Sequence, residues 1–89
     1  MISRTVTVIN RLGLHARAAT RLVNCSSGFS SEIIIRKGIR SINGKSIMGV
    51  LTLAASPGTD LVIEARGTDE EQALEAVARL ILNRFGEEE

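Results

Sequence analysis

The sequence has no tryptophan and no tyrosine, and only two phenylalanines among its 89 residues. Modules that read RNA stack bases on aromatic side chains, so nucleic acid is not an expected partner. A single cysteine, Cys25, excludes an internal disulfide and suits a reducing compartment. No apolar run approaches the roughly 20 residues that a membrane-crossing helix needs. None stands ahead of Thr5-Val6-Thr7-Val8-Ile9 as a secretory leader would. The expectation is a cytoplasmic chain with no membrane partner. One histidine, no Cys-x-x-Cys and no cluster of acids beside that histidine leave no metal-ligand set, so neither metal nor cofactor is expected.

What is present is enough for one domain, residues 1–89, with a modest core. Hydrophobic residues make up 44% of the chain and its mean hydropathy is +0.15, so it folds rather than staying disordered. The charges divide unevenly. Residues 1–50 carry eight basic side chains and one acid, Glu32, for a net +7; residues 51–89 carry three basic and nine acidic, for −6. Such halves point to a polar surface whose basic part seeks an acidic partner, unless folding intermixes them.

Arg4–Ile9 alternates around Val6 and Val8 as a half-buried strand does, and Asn10–His15 is a loop containing Gly13. Ala19, Leu22 and Val23 stand at helical spacing within Ala16–Cys25, and Ser26-Ser27-Gly28 stops that helix. Ile33-Ile34-Ile35 and Ile39–Ile42 read as strands joined by a turn at Lys37-Gly38. Ser46 caps a short helix reaching Leu53, and Leu61, Ile63 and Ala65 alternate on a fourth strand. Thr68 with Glu71 fits a capping box before a last helix whose stripe is Leu74, Val77, Ala78, Ile81 and Phe85. The order β-α-β-β-α-β-α predicts an α+β open sandwich, one sheet covered on one side by helices. Glu87-Glu88-Glu89 reads as a frayed, solubilising tail.

His15 lies at the junction of loop and helix. A helix N-terminus leaves backbone N–H groups without intrahelical partners and carries partial positive charge, which together favour an anion. Arg17 adds a planar donor fork suited to phosphate oxygens, and neutral imidazole is a competent nucleophile near pH 7. Gly13 lets the loop bring the ring alongside the amides. An ordinary capping histidine fits the same facts, and no orienting acid or oxyanion motif supports a hydrolytic triad.

Gly13-Leu14-His15-Ala16-Arg17-Ala18-Ala19 closely resembles the active-site signature of the histidine-containing phosphocarrier protein (HPr) family of the bacterial phosphotransferase system. Asn43-Gly44-Lys45-Ser46-Ile47-Met48-Gly49-Val50-Leu51 resembles that family's regulatory-serine segment, and length, element order and Gly67-Thr68-Asp69-Glu70-Glu71 match as well. The resemblance implies a four-stranded antiparallel sheet with three helices on one face. It implies that His15 accepts a phosphoryl group from enzyme I, charged by phosphoenolpyruvate, and passes it to a IIA component. Ala16 and Arg17 would hold the phosphate, and a kinase, HPr kinase/phosphorylase, would modify Ser46. Most relatives have proline where this chain has Ala18, which loosens assignment to the sugar branch. A nitrogen-branch module that binds partners according to its phosphorylation state is the alternative.

The helix after Ser46 adds a clue of its own. Ile47, Met48, Val50, Leu51 and Leu53 occupy more than half its circumference at about 100° per residue. Val50 and Leu53 share one direction and reach the core. Ile47, Met48 and Leu51 share the other, an apolar patch with Arg17, Thr20, Arg21 and Lys45 that reads as a docking site. A monomer that binds its partners in turn is expected. Cys25 is a small helix-face residue rather than a redox centre.

Overall fold

Apolar residues at every second position build one face of a four-stranded sheet. The computed structural model describes all residues, Met1–Glu89. Its strands are β1 (Ile2–Thr7), β2 (Glu32–Lys37), β3 (Arg40–Asn43) and β4 (Asp60–Arg66), in the order β1-β4-β2-β3, every pair antiparallel. Val6, Ile33, Ile35, Leu61, Ile63 and Ala65 are buried, and Ile35 sits opposite Ile63 as Val6 sits opposite Leu61. Such cross-strand pairs fix the register, since a one-residue slip would turn each to solvent. On the other face Arg36 Nη2 reaches both carboxylate oxygens of Glu64, at 2.9 and 3.1 Å.

Three helices cover the apolar face: α1 (Ala16–Ser27), α2 (Ile47–Thr52) and α3 (Glu70–Leu82). Ala18, Ala19 and Leu22 of α1 and Ala73, Leu74, Val77, Ala78 and Ile81 of α3 join the strand residues in one buried apolar cluster. This is the expected α+β open-faced sandwich.

Several details differ from the sequence reading. α1 runs on through Ser26 and Ser27, with Gly28 as its C-cap, rather than stopping at Cys25. β1 begins at Ile2 and ends at Thr7 rather than running Arg4–Ile9, although Val8 is buried and exchanges 2.8 Å bonds with Thr59 and Gly58. Ile39 is not in a strand. It forms the tip of a two-residue turn with Gly38, whose φ is +58°, and is fully exposed, so turn geometry overrides β-branched propensity. The Thr68–Glu71 capping box does not form. Asp69 stands at the N-cap position with no side-chain cap bond, and Glu70 Oε1 instead accepts from Gly67 N at 3.2 Å. The Asp69 carboxylate is drawn across to Ser30 N and Ser31 N, both at 2.9 Å, and to the Ser31 hydroxyl. Finally, Phe85 is buried but lies beyond α3, which ends at Leu82; Arg84 and Phe85 both take positive φ, 57° and 54°, and reverse the chain.

Folding also intermixes the charged halves. Arg4 pairs with Glu75, Arg11 with Glu89, His15 with Glu87 and Arg36 with Glu64. The basic excess left on the surface is therefore smaller than the sequence asymmetry and includes Arg17 and Arg40, both exposed and in no ion pair.

Candidate functional site

Gly13, with φ +66°, turns the loop before α1, and Leu14 N donates to Ala55 O at 2.8 Å while the Leu14 side chain enters the core. These contacts pin the residue before His15. His15 itself is the N-cap of α1, with extended backbone at φ −79° and ψ −179°. Its Nδ1 accepts from Arg17 N at 3.2 Å. The first ladder bond of the helix is Ala19 N to His15 O at 2.8 Å, so the amides of Ala16, Arg17 and Ala18 stand outside the ladder at the helix mouth.

The other ring nitrogen, Nε2, meets Glu87 Oε2 at 2.5 Å. The acidic end is thus not a frayed tail, and acids do stand beside the histidine. Buried Phe85 anchors the reversed segment, and Arg21 Nη1 donates to the Phe85 carbonyl. Glu87 Oε1 accepts from Asn10 Nδ2 at 2.9 Å, and the same amide nitrogen donates to Gly13 O at 2.8 Å. Asn10 is fully buried, so one amide ties the loop to the tail. The Asn10 bond, set against desolvation and aided by the bond from His15, holds the Glu87 carboxyl below the ordinary carboxylate range. Sequence reasoning missed both Asn10 and Glu87. The signal that pointed to Glu87 was charge: a triple-glutamate end in a chain with Arg11, Arg17 and Arg21 near its lone histidine; nothing in the sequence marks Asn10.

An amide N–H can only donate and a carboxylate can only accept. One neutral tautomer satisfies both ring contacts, with the proton on Nε2 and the lone pair on Nδ1. A cleft of about 360 Å³ lies where the loop, α1 and the tail meet, lined by Arg11, Leu12, Arg17 and Arg21 and by Gly86–Glu89. The Arg17 side chain is exposed and makes no hydrogen bond or ion pair, whereas Arg11 pairs with Glu89 at 2.7 Å.

The remaining candidates make no hydrogen bond or ion pair to the ring. Ser46 is the N-cap of α2, its Oγ accepting from Gly49 N at 3.1 Å. Val50 and Leu53 are fully buried, Ile47 and Met48 are exposed at 38% and 69%, and Leu51 is half-buried, which is the division that the 100° spacing predicts. Thr20 is exposed and bonds Ala16 O, and Lys45 Nζ donates to Phe29 O at 2.7 Å. Burial pushes the Cys25 thiol up, which disfavours the reactive thiolate. No group of three or more His, Cys, Asp or Glu residues is arranged to hold a metal, and no helix is long and apolar enough to cross a membrane.

Residues 2–83 match the family model described as "PTS HPr component phosphorylation site". The chain is 45% identical over 89 residues to the phosphocarrier protein HPr of Cupriavidus necator, covering the whole of both. The crystal structure of HPr-C-His from Thermoanaerobacter tengcongensis superposes with a TM-score of 0.96 at 43% identity, again over the whole of both chains. A second structure from that organism is an HPr dimer, with a TM-score of 0.79 at 42% identity, covering 98% of this chain and 100% of that one. Likeness to these proteins therefore does not fix the monomer that the sequence suggests. It does fix the family: this chain belongs to the HPr phosphocarriers of the phosphotransferase system.

Proposed function

We propose that this chain takes a phosphoryl group from enzyme I on Nδ1 of His15 and passes it to a IIA component. The observation that carries the reading is the direction of Nδ1, whose lone pair faces the helix mouth beside Arg17 N. As phosphorus bonds to Nδ1, Arg17 N gives up its bond to that nitrogen, the phosphoryl oxygens take the amides of Ala16 and Arg17, and the unpartnered Arg17 guanidinium closes on them. Residues 1–89 act as one carrier domain in the cytoplasm. Ile47, Met48 and Leu51, with Thr20, Arg21 and Lys45, form the face on which enzyme I and the IIA component dock in turn. A phosphate on Ser46, placed there by HPr kinase/phosphorylase, sets about −2 charge on that face and weakens docking while leaving the cap intact.

The test is incubation with phosphoenolpyruvate and enzyme I. The chain takes up one acid-labile, base-stable phosphate, and His15→Ala folds normally and takes up none. Uptake by the alanine variant would overturn the assignment.

A further inference from the structure

The ring of His15 is held at both nitrogens, and only one of the two partners belongs to the helix mouth. The other, Glu87, comes 72 residues later in the chain and reaches Nε2 at 2.5 Å with its side chain only 13% exposed. It is not a loose surface acid. Asn10, fully buried, spends both hydrogens of its amide on Glu87 Oε1 at 2.9 Å and Gly13 O at 2.8 Å. Reversing that amide would set oxygen against oxygen at both contacts, so its orientation is fixed. The segment carrying Glu87 is itself anchored by the buried ring of Phe85 and by the Arg21 bond to the Phe85 carbonyl.

Resting on the carrier reading above, we propose that Glu87, set in place by Asn10, is a positioning residue for phosphoryl transfer through His15. Its carboxylate keeps the proton on Nε2, which leaves Nδ1 the nucleophile. It also steadies the positive charge that the ring acquires once phosphorus is attached. The balance is simple. On loading, the Nδ1 lone pair forms the N–P bond while the donor's bond to phosphorus breaks and its electron pair leaves with the donor. On unloading, the N–P pair returns to Nδ1 as the acceptor's nucleophile bonds phosphorus. The Nε2 proton stays in place in both steps, so the carboxylate can stay where it is and no proton has to move.

Three variants test this with phosphoenolpyruvate and enzyme I as the phosphoryl source and ¹⁵N NMR of His15 as the second readout. Glu87→Ala should load at least about 10-fold more slowly, the lower end of the loss when the carboxylate that orients a metal-bound histidine is removed. In its neutral ring the Nδ1–H tautomer should gain population. Glu87→Gln still offers Nε2 an acceptor but no charge, and should fall between Glu87→Ala and the unaltered chain in both readouts. Glu89→Ala removes one negative charge from the same tail and releases Arg11 without touching the ring, and should keep the tautomer of the unaltered chain and load faster than Glu87→Ala. If the unaltered chain itself takes up no phosphate, the carrier reading fails. If it does, and Glu87→Ala equals it in rate and tautomer, only the role of Glu87 is overturned. A Glu89→Ala variant slowed as much as Glu87→Ala would show that the tail acts through charge alone, and would also overturn it.

Discussion

Replacing Gly13 by alanine measures how far the loop that carries His15 depends on one missing side chain. Gly13 has φ +66°, and a Cβ built there stands 2.5 Å from Ala55 O, 3.1 Å from Ser56 Cα and 3.3 Å from Pro57 Cδ. The carbonyl cannot retreat cheaply, because it accepts from Leu14 N at 2.8 Å. Two costs follow. Left-handed backbone costs a non-glycine residue about 1–2 kcal/mol, and forcing an extra carbon into a packed backbone contact costs about 1–3 kcal/mol. Together they remove about 2–5 kcal/mol from a domain whose total stability is of order 5–15 kcal/mol. At about 4–8 °C per kcal/mol, the melting temperature should fall by at least about 8 °C. Gly38→Ala separates the two costs, since Gly38 has φ +58° but nothing within 4 Å of a built Cβ. It should lose only the conformational part, about 1–2 kcal/mol. Thermal unfolding followed by circular dichroism checks both. A Gly13→Ala variant that melts no lower than Gly38→Ala would refute the claim that contact with Ala55 adds a cost.

Two further outcomes are expected. Hydrogen bonds from the Ser31 hydroxyl, first, and from the Ser30 and Ser31 amides hold the Asp69 carboxyl down at about 2. Its unfolded value is about 3.9, so the stabilisation is fully present above about pH 4 and is lost as pH falls towards 2. Asp69→Asn should therefore lower the melting temperature at pH 7 and flatten its fall between pH 4 and 2, and an unchanged pH profile would show that these bonds do not stabilise the fold. Ser46→Asp should keep its fold, because aspartate also caps helices, and should load from enzyme I more slowly at low salt, the slowing shrinking as salt screens it. An unchanged rate at low and high salt would place Ser46 outside the docking face.

The parts of the fold that obey short-range rules were legible from the sequence. Alternation found Leu61, Ile63 and Ala65 on β4, and helical spacing divided Val50 and Leu53 from Ile47 and Met48. His15 at the mouth of α1 and Ser46 at the cap of α2 were legible because loop, cap and motif coincide at both positions. Phe85 misled for the same reason that the others succeeded. It stands four residues after Ile81, so periodicity places it on the α3 stripe, and it is indeed buried. It reaches the core by another route, through two consecutive positive-φ residues that no local propensity announces. That reversal is what carries Glu87 to His15. The contact spans 72 residues and depends on tertiary anchoring by Phe85 and Asn10. Ile39 and the Thr68–Glu71 box show the same competition on a smaller scale: a turn takes Ile39 out of its strand, and Asp69 stands at the cap position with its carboxylate drawn to Ser30 and Ser31.

The central claim is that the phosphoryl group travels on Nδ1 of His15. It is tested most directly by ³¹P and ¹⁵N NMR of the uniformly ¹⁵N-labelled chain after incubation with phosphoenolpyruvate and enzyme I. The account predicts one phosphorus resonance coupled to Nδ1, with Nε2 still protonated. Coupling to Nε2, or a phosphate that survives acid and is lost in base as a serine ester would be, contradicts it.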